Sequence, residues 1–218
     1  MKSYDNSEKE YLRSLKEYHK ESRKLFQNHE WMEKTAVNVF LRIFNVKFDD
    51  DDLKKGDDPP DVLFEGANFG VEVTEVQNEG RKRDDEYKDK IKKDEEANEL
   101  LDLKNPWEHS IPMEFPELLG LIETAMDGKF DKYRSPKTCQ ELDLLIYVNL
   151  KKRHLTSETK MDCSIEFLSK VKEQGWRSVS FLMGLSAGVV FAQKIAPRFI
   201  KELEGVIRRT DDPYLFED

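Results

Sequence analysis

Cysteine is almost missing from this chain of 218 residues, which holds two, Cys139 and Cys163. Two thiols make neither a zinc tetrad nor a disulfide framework, so ordinary buried thiols in a reduced, cytoplasmic protein are expected. Long apolar runs are missing as well. None approaches the roughly 20 residues that cross a bilayer, which argues against a membrane helix. The first eight residues, Met1 to Glu8, lack the apolar stretch of a signal peptide. Internal repeats are absent, and the only low-complexity segment is a short run of aspartates at 49–52.

Charge is what the chain has in excess. Charged residues make up 37% of it, against an ordinary figure of about 25%. With 36 Lys and Arg against 45 Asp and Glu, the net charge is −9. Hydrophobic residues at 38%, with 11% aromatics, still supply a core and exclude wholesale disorder. The positive charge is clustered at Arg81, Lys82 and Arg83, at 90–93, at Lys151, Lys152 and Arg153, and at Arg208 and Arg209. Separated basic and acidic faces allow one face to hold a polyanion despite a net acidic balance. Each cluster taken singly also fits a solvated helix face or loop.

Apolar spacing predicts an amphipathic helix over 8–26 with a narrow stripe, then a second helix over 30–45 that is apolar nearly all round from Ala36. The stripe on the first leaves room for a homodimer. Residues 1–28 are thus read as a helical extension and 29–218 as one domain. Six aspartates, a glycine and two prolines across 49–60 predict a loop. Two β-type runs, 62–64 and 69–76, follow as a hairpin, with Gly66 or Asn68 at the turn. A polar helix is expected over 84–103, and a clearer one over 115–126 with a stop at Gly128. Residues 142–150 are almost continuously apolar and suit a central strand covered on both faces. A helix over 164–174 closed by Gly175, a strand over 176–182, another over 189–192 and a last helix over 197–207 complete the chain. Short strands alternating with helices give an α/β or α+β class with a mixed β-sheet flanked by helices.

The most informative stretch is Pro59-Pro60-Asp61, followed by Gly70-Val71-Glu72-Val73-Thr74-Glu75. Glu72 sits amid valines inside a strand, where a charge is costly unless a cation or donor compensates it. Carboxylates from adjacent strands can converge, repel one another and favour a hard divalent cation such as Mg²⁺, with Mn²⁺ as a substitute. Such a cation activates water and stabilises charge on a phosphodiester. The same residues also have structural uses, Asp61 as a turn cap and Glu72 as an edge-strand acid.

Gly184-Leu185-Ser186-Ala187-Gly188 matches the G-x-S-x-G elbow of α/β-hydrolases, a fold that needs its histidine after the serine. All four histidines precede Ser186. A small-residue turn between two strands is the better reading. Trp31 and Trp176 read as core residues and His154 as a loop residue, while Asp143 suits either a site partner or a strand-end acid.

Pro60-Asp61 followed by Glu72-Val73-Thr74, after a helix bearing Glu30 and Glu33, resembles the PD-(D/E)xK nuclease superfamily with its restriction-endonuclease-like fold. More narrowly, the stretches at 56–64, 78–86, 141–143 and 175–180 resemble the DUF1780 family of endonuclease-like proteins. The resemblance implies a core of helix, three strands, helix and strand, and hydrolysis of a nucleic acid, DNA first among them, with Mg²⁺ as cofactor. It implies Asp61 and Glu72 as metal ligands with the Val73 carbonyl beside them, and Glu33 as the helical acid. It also implies phosphate contacts from 81–83 and 151–153. The lysine of the acid-x-Lys motif is replaced by Thr74. Lys88, Lys90 and Lys92 on the following helix are the candidates for its role, with Lys88 heading them. A site that binds nucleic acid or a partner protein without cutting is the alternative.

Overall fold

A computed structural model describes residues 13–14, 16–17, 20, 28–81, 83–96 and 110–210. The expected helix over 8–26 and the end of the one over 84–103 lie outside most of this set. Two compact units are present, one formed by residues 1–32 and 79–109 and the other by 33–78 and 110–218.

The larger unit is organised by a seven-stranded sheet. Its strands are β1 (Leu53–Lys55), β2 (Val62–Phe64), β3 (Phe69–Gln77), β5 (Asp143–Asn149), β7 (Ser178–Met183), β8 (Ser186–Ala192) and β9 (Ile207–Arg209), lying side by side in that order. Strands β3, β5 and β7 are parallel, while β1, β2, β8 and β9 join by antiparallel pairing. The apolar run read as a central strand is β5, buried between β3 and β7. A separate parallel pair, β4 (Ile111–Pro112) with β6 (Arg153–His154), lies apart from this sheet.

Each face of the sheet has its own core. Helix α1 (His29–Ile43) begins where the Asn28 side chain accepts the Trp31 N–H at 3.2 Å. Its Val37, Phe40 and Leu41 are fully buried with Val71 and Leu145. Burying each such side chain stabilises the fold by roughly 1.5–3 kcal/mol. On the other face, Leu118, Ile122 and Met126 of α3 (Phe115–Tyr133) and Val171 of α5 (Ile165–Gln174) meet Leu144, Ile146 and Phe181. Trp176 is wholly buried in this second core, and Trp31 is half-buried.

Several local expectations are met for the reasons given. Ser164 accepts the Phe167 N–H at 3.1 Å to start α5, and Gly175, at φ 82°, ends it. A Cβ at Gly175 would stand 2.7 Å from the carbonyl oxygen of Pro136, the first residue of the short helix α4 (Pro136–Cys139). The β2–β3 hairpin turns through Glu65–Ala67 with Asn68 at φ 49°. Gly184 and Leu185 make the β7–β8 turn and Ser186 to Gly188 open β8, with Ser186 buried opposite Met183.

Three expectations are corrected. The aspartate-rich segment is not all loop: Leu53, its lone interior apolar residue, is buried and starts β1 as the partner of Phe64. The last helix, α6, is only Arg198–Glu202, and the chain then turns into β9. Helix α3 does not stop at Gly128. It runs to Tyr133 and ends at Arg134, with φ 49°. A mid-helix glycine costs only about 1 kcal/mol against alanine, and the buried stripe of α3 outweighs that.

The smaller unit contains α2 (Arg83–Glu96), with Arg81 bonded to Glu86 at 3.1 Å and Lys20 paired with Glu95 at 2.9 Å. Both cysteines are free thiols whose pKa values burial pushes up to about 11. Among the described residues, no helix is long and apolar enough to cross a membrane.

Candidate functional site

The β2–β3 register sets Val62 opposite Val71, so the residue before β2, Asp61, falls beside Glu72. A tight turn leads into Asp61: the Gly56 N–H donates to the Asp61 carbonyl at 2.9 Å, and the Asp58 N–H to the Pro60 carbonyl at 3.3 Å. A Cβ on Gly56 would stand 1.8 Å from the Pro60 oxygen, so only glycine fits there. The Val73 N–H then donates to Asp61 Oδ2 at 2.8 Å and locks that carboxylate against β3. Carboxylate oxygens of Asp58, Asp61 and Glu72 all come within 4.8 Å of one another.

Glu72 is completely buried on the α3 side of the sheet, level with Leu144. Its Oε1 accepts a hydrogen bond from Lys129 Nζ, and the same ammonium lies 3.9 Å from Asp61 Oδ2. One turn further, Lys132 Nζ pairs with Asp58 Oδ1 at 3.3 Å and sits 5.2 Å from the centre of the Tyr133 ring. Positions 129, 132 and 133 share one helix face by their i, i+3, i+4 spacing. The Tyr133 ring packs edge-on against Trp176, with centroids 6.4 Å apart.

The electrostatics are unbalanced. Burial pushes the Asp61 carboxyl above its ordinary value, and the nearby Glu72 adds to this. The Val73 N–H and Lys129 only partly oppose it. Burial, reinforced by Glu72, also pushes the Tyr133 phenol above its usual range. Glu72 Oε2 and the Tyr133 hydroxyl are both buried with no partner in hydrogen-bonding geometry among the described residues, and they lie near enough to each other that Glu72 adds to the raised phenol pKa. Leaving a buried polar atom unpaired costs roughly 1–3 kcal/mol, and more when it is charged.

Asp61 and Glu72, singled out from the sequence, are therefore brought together, and Val73 engages Asp61 through its N–H. Glu33 is half-buried on α1 and is not a member of the carboxylate cluster. Lys88 lies on α2 in the other unit, 3.3 Å from Asp85, and Lys92 pairs there with Glu96 at 4.0 Å. Thr74 is half-buried one pleat beyond Glu72, and Glu75 accepts from Asn149 at 2.9 Å. Of the expected phosphate contacts, Arg81 is held by Glu86, while Lys82 and the Arg83 side chain lie outside the described residues. Lys151 and Lys152 form the turn after β5, and Arg153 pairs with Glu117. Asp58, Lys129, Lys132 and Tyr133 were not singled out, because the expected end of α3 at Gly128 removed three of them from the helix.

Asp143 lies at the start of β5, one strand over. It is buried, bonded to Arg177 Nε at 3.1 Å and also to Nη2, and it accepts from Ser178 Oγ at 2.6 Å. Burial raises its pKa despite these partners. This is a structural clasp between β5 and the entry to β7.

A solved structure from Pseudomonas aeruginosa strain PAO1 matches the fold with a TM-score of 0.63 and 26% identity over 99% of each chain. It is described as a protein of unknown function of the monooxygenase superfamily. No curated protein matches. A family model described as "Putative endonuclease, protein of unknown function (DUF1780)" matches residues 7–212. The chain belongs to the DUF1780 family.

Proposed function

We propose that the protein is an endonuclease of the PD-(D/E)xK type that hydrolyses DNA with a divalent cation. One observation carries this reading: Asp58, Asp61 and Glu72 converge while the buried Glu72 Oε2 has no hydrogen-bond partner among the described residues. The donor set is all oxygen, which suits a hard ion such as Mg²⁺ or Mn²⁺. Non-haem iron oxygenases use two histidines and a carboxylate, and no histidine belongs to this cluster. With α2, β4 and the short helix Pro136–Cys139 counted as insertions, the order α1, β1 to β3, α3, β5 also agrees with the helix, three strands, helix and strand that the resemblance implies.

Asp61 and Glu72 would hold the ion, with Asp58 as a third ligand. When bound, it would supply Lewis-acid stabilisation of phosphoryl charge and lower the pKa of a water molecule. Lys129 takes the role of the motif lysine, reaching the carboxylates from α3 instead of from position 74. Its ammonium, held at Glu72 in the resting protein, is close enough to pass to a phosphate oxygen as negative charge grows there. Lys151 and Lys152 are the proposed phosphate contacts, and no acid beyond the cluster is needed to fix the ion.

The test is nicking of supercoiled plasmid with Mg²⁺ or Mn²⁺, comparing wild type with Asp61→Asn and Lys129→Met. Loss of about 10²–10³-fold in each variant is expected, the usual effect of removing one charge-stabilising group. If wild type binds DNA and metal yet never cuts, the non-catalytic reading kept open by Thr74 takes its place.

A further inference from the structure

Immediately beside the carboxylates, on the same face of the sheet, is a cavity of 370 Å³. We infer that it is a subsite for a single nucleobase bearing both a carbonyl and an amino group, guanine or cytosine. The inference rests on the nuclease reading and names the part of the substrate that reading leaves open.

Its position follows from the β2–β3 register. Leu63 pairs with Gly70, and these two stand two residues along from Asp61 and Glu72. Alternation puts both pairs on one face, about 7 Å apart along the strands. A base in the cavity would thus belong to a nucleotide at the carboxylates or next to it. Pro60, Leu63 and Gly70 give one side of the cavity, and Thr138, Glu141 and Arg177 the other. Because Gly70 has no side chain, Pro60 and Leu63 pack down onto the strand and form an apolar floor for a flat ring. An added Cβ there would stand 3.2 Å from Pro60 Cγ and 3.6 Å from Leu63 Cδ2. The volume lies at the small end of ligand sites, which run from about 300 to 1,000 Å³.

The chemistry of the lining selects the base. Glu141 is an exposed carboxylate that only accepts hydrogen bonds, and so favours a group with several N–H donors, such as an amine. Arg177 only donates, and Asp143 occupies Nε and Nη2 of its guanidinium, so a carbonyl oxygen suits the donors left over. Guanine and cytosine each present an amine and a carbonyl. Adenine lacks the carbonyl, and thymine and uracil offer the carboxylate a single imide N–H where guanine and cytosine offer amino hydrogens. The cavity and the cluster are joined through the backbone, because Pro59 and Pro60 line the cavity and are flanked in sequence by Asp58 and Asp61. A base seated against this dipeptide would hold both carboxylates in register.

The experiment uses the full chain and four nucleosides without phosphate, so that cation binding does not enter. Saturation-transfer NMR would rank guanosine, cytidine, adenosine and uridine. Guanosine and cytidine should bind about tenfold more tightly than adenosine and uridine, a difference of 1.4 kcal/mol. Glu141→Gln should erase the advantage of cytidine over uridine. Thr138→Tyr and, independently, Leu63→Trp should fill the cavity and weaken guanosine and cytidine by at least about tenfold. Terbium luminescence, sensitised through Tyr133 and Trp176, reports the carboxylate site separately. The terbium affinity it reports should be unchanged in Thr138→Tyr, and binding should be lost in Asp61→Asn/Glu72→Gln. Equal affinity for the four nucleosides, or affinities untouched by both filling variants, would overturn the subsite whatever terbium shows. A nucleoside preference without a terbium signal would keep the subsite and sink the metal reading.

Discussion

Lys129→Met is the sharpest single perturbation of this site, because it separates the resting structure from the metal-loaded one. The Lys129 ammonium bonds to the wholly buried Glu72 and lies 3.9 Å from Asp61. Methionine keeps most of the aliphatic length and removes the charge. In chelator, Glu72 then loses its buried counter-ion, and breaking a buried pair from one side costs about 3–5 kcal/mol. For a chain of this length, each kcal/mol moves the melting midpoint by roughly 2–4 °C, so a drop of the order of 10 °C is expected. Added metal should reverse the order of response. With a dissociation constant of about 1 mM, 10 mM Mn²⁺ stabilises the wild type by roughly 1.4 kcal/mol, about 3–5 °C. The variant has no ammonium to displace. Tenfold tighter binding would raise the stabilisation to roughly 2.7 kcal/mol and the shift to about 5–10 °C. On a Glu72→Gln background the same substitution should cost almost nothing in chelator, which isolates the pair by a double-mutant cycle. Differential scanning fluorimetry in chelator and in Mn²⁺ measures all of this. A variant that melts with the wild type in chelator, or gains no more from Mn²⁺, would refute the idea that Lys129 holds the place of the cation.

Three further expectations follow from the same geometry. Asp61→Asn keeps an acceptor for the Val73 N–H and removes a carboxylate whose pKa lies above its ordinary value, because of burial and then Glu72. The native state holds that proton more tightly than the unfolded chain, so wild-type stability falls as pH rises through the raised value. In chelator, the variant should melt higher than wild type at neutral pH and lose that advantage below about pH 4, as midpoints recorded across pH would show. Asp143→Asn should cost about 3–5 kcal/mol in urea unfolding, since it strands the buried Arg177. Asp143→Leu/Arg177→Met should recover much of that, and a doubly substituted chain no more stable than the single variant would refute the clasp. Thr74→Lys should restore part of the cleavage lost in Lys129→Met, because position 74 shares the strand face of Glu72. Rescue assayed by plasmid nicking tests whether the two positions are equivalent, and a double variant as inert as Lys129→Met would show they are not.

The legible parts of this fold were those whose signal is local. Strand β5 is a run of apolar residues, the β2–β3 hairpin alternates between clear turn residues, and α5 has a serine at one end and a glycine at the other. Strands β1 and β9 were illegible because three-residue segments at sheet edges are made by their partners. Leu53 is apolar among aspartates and lysines, and only Phe64 opposite it makes the segment a strand. The site divides along the same line. Asp61 and Glu72 were conspicuous because a carboxylate inside or beside a valine-rich strand is locally expensive. Lys129 stands 57 residues from Glu72, and nothing in its own neighbourhood marks it apart from other lysines. What hid it was a reading of Gly128 as a helix end, sound as a local rule but overridden here by Leu118, Ile122 and Met126 packing on the sheet. The useful signal was the face and not the residue: 129, 132 and 133 lie together on a helix that follows the carboxylate strands and packs over them. A missing motif lysine is therefore better sought along the next packed helix, at i, i+3, i+4, than at the nearest lysine in sequence. On the proposed nuclease reading the requirement is an amine at the buried carboxylate, and the packing of α3 on the sheet decides which lysine meets it.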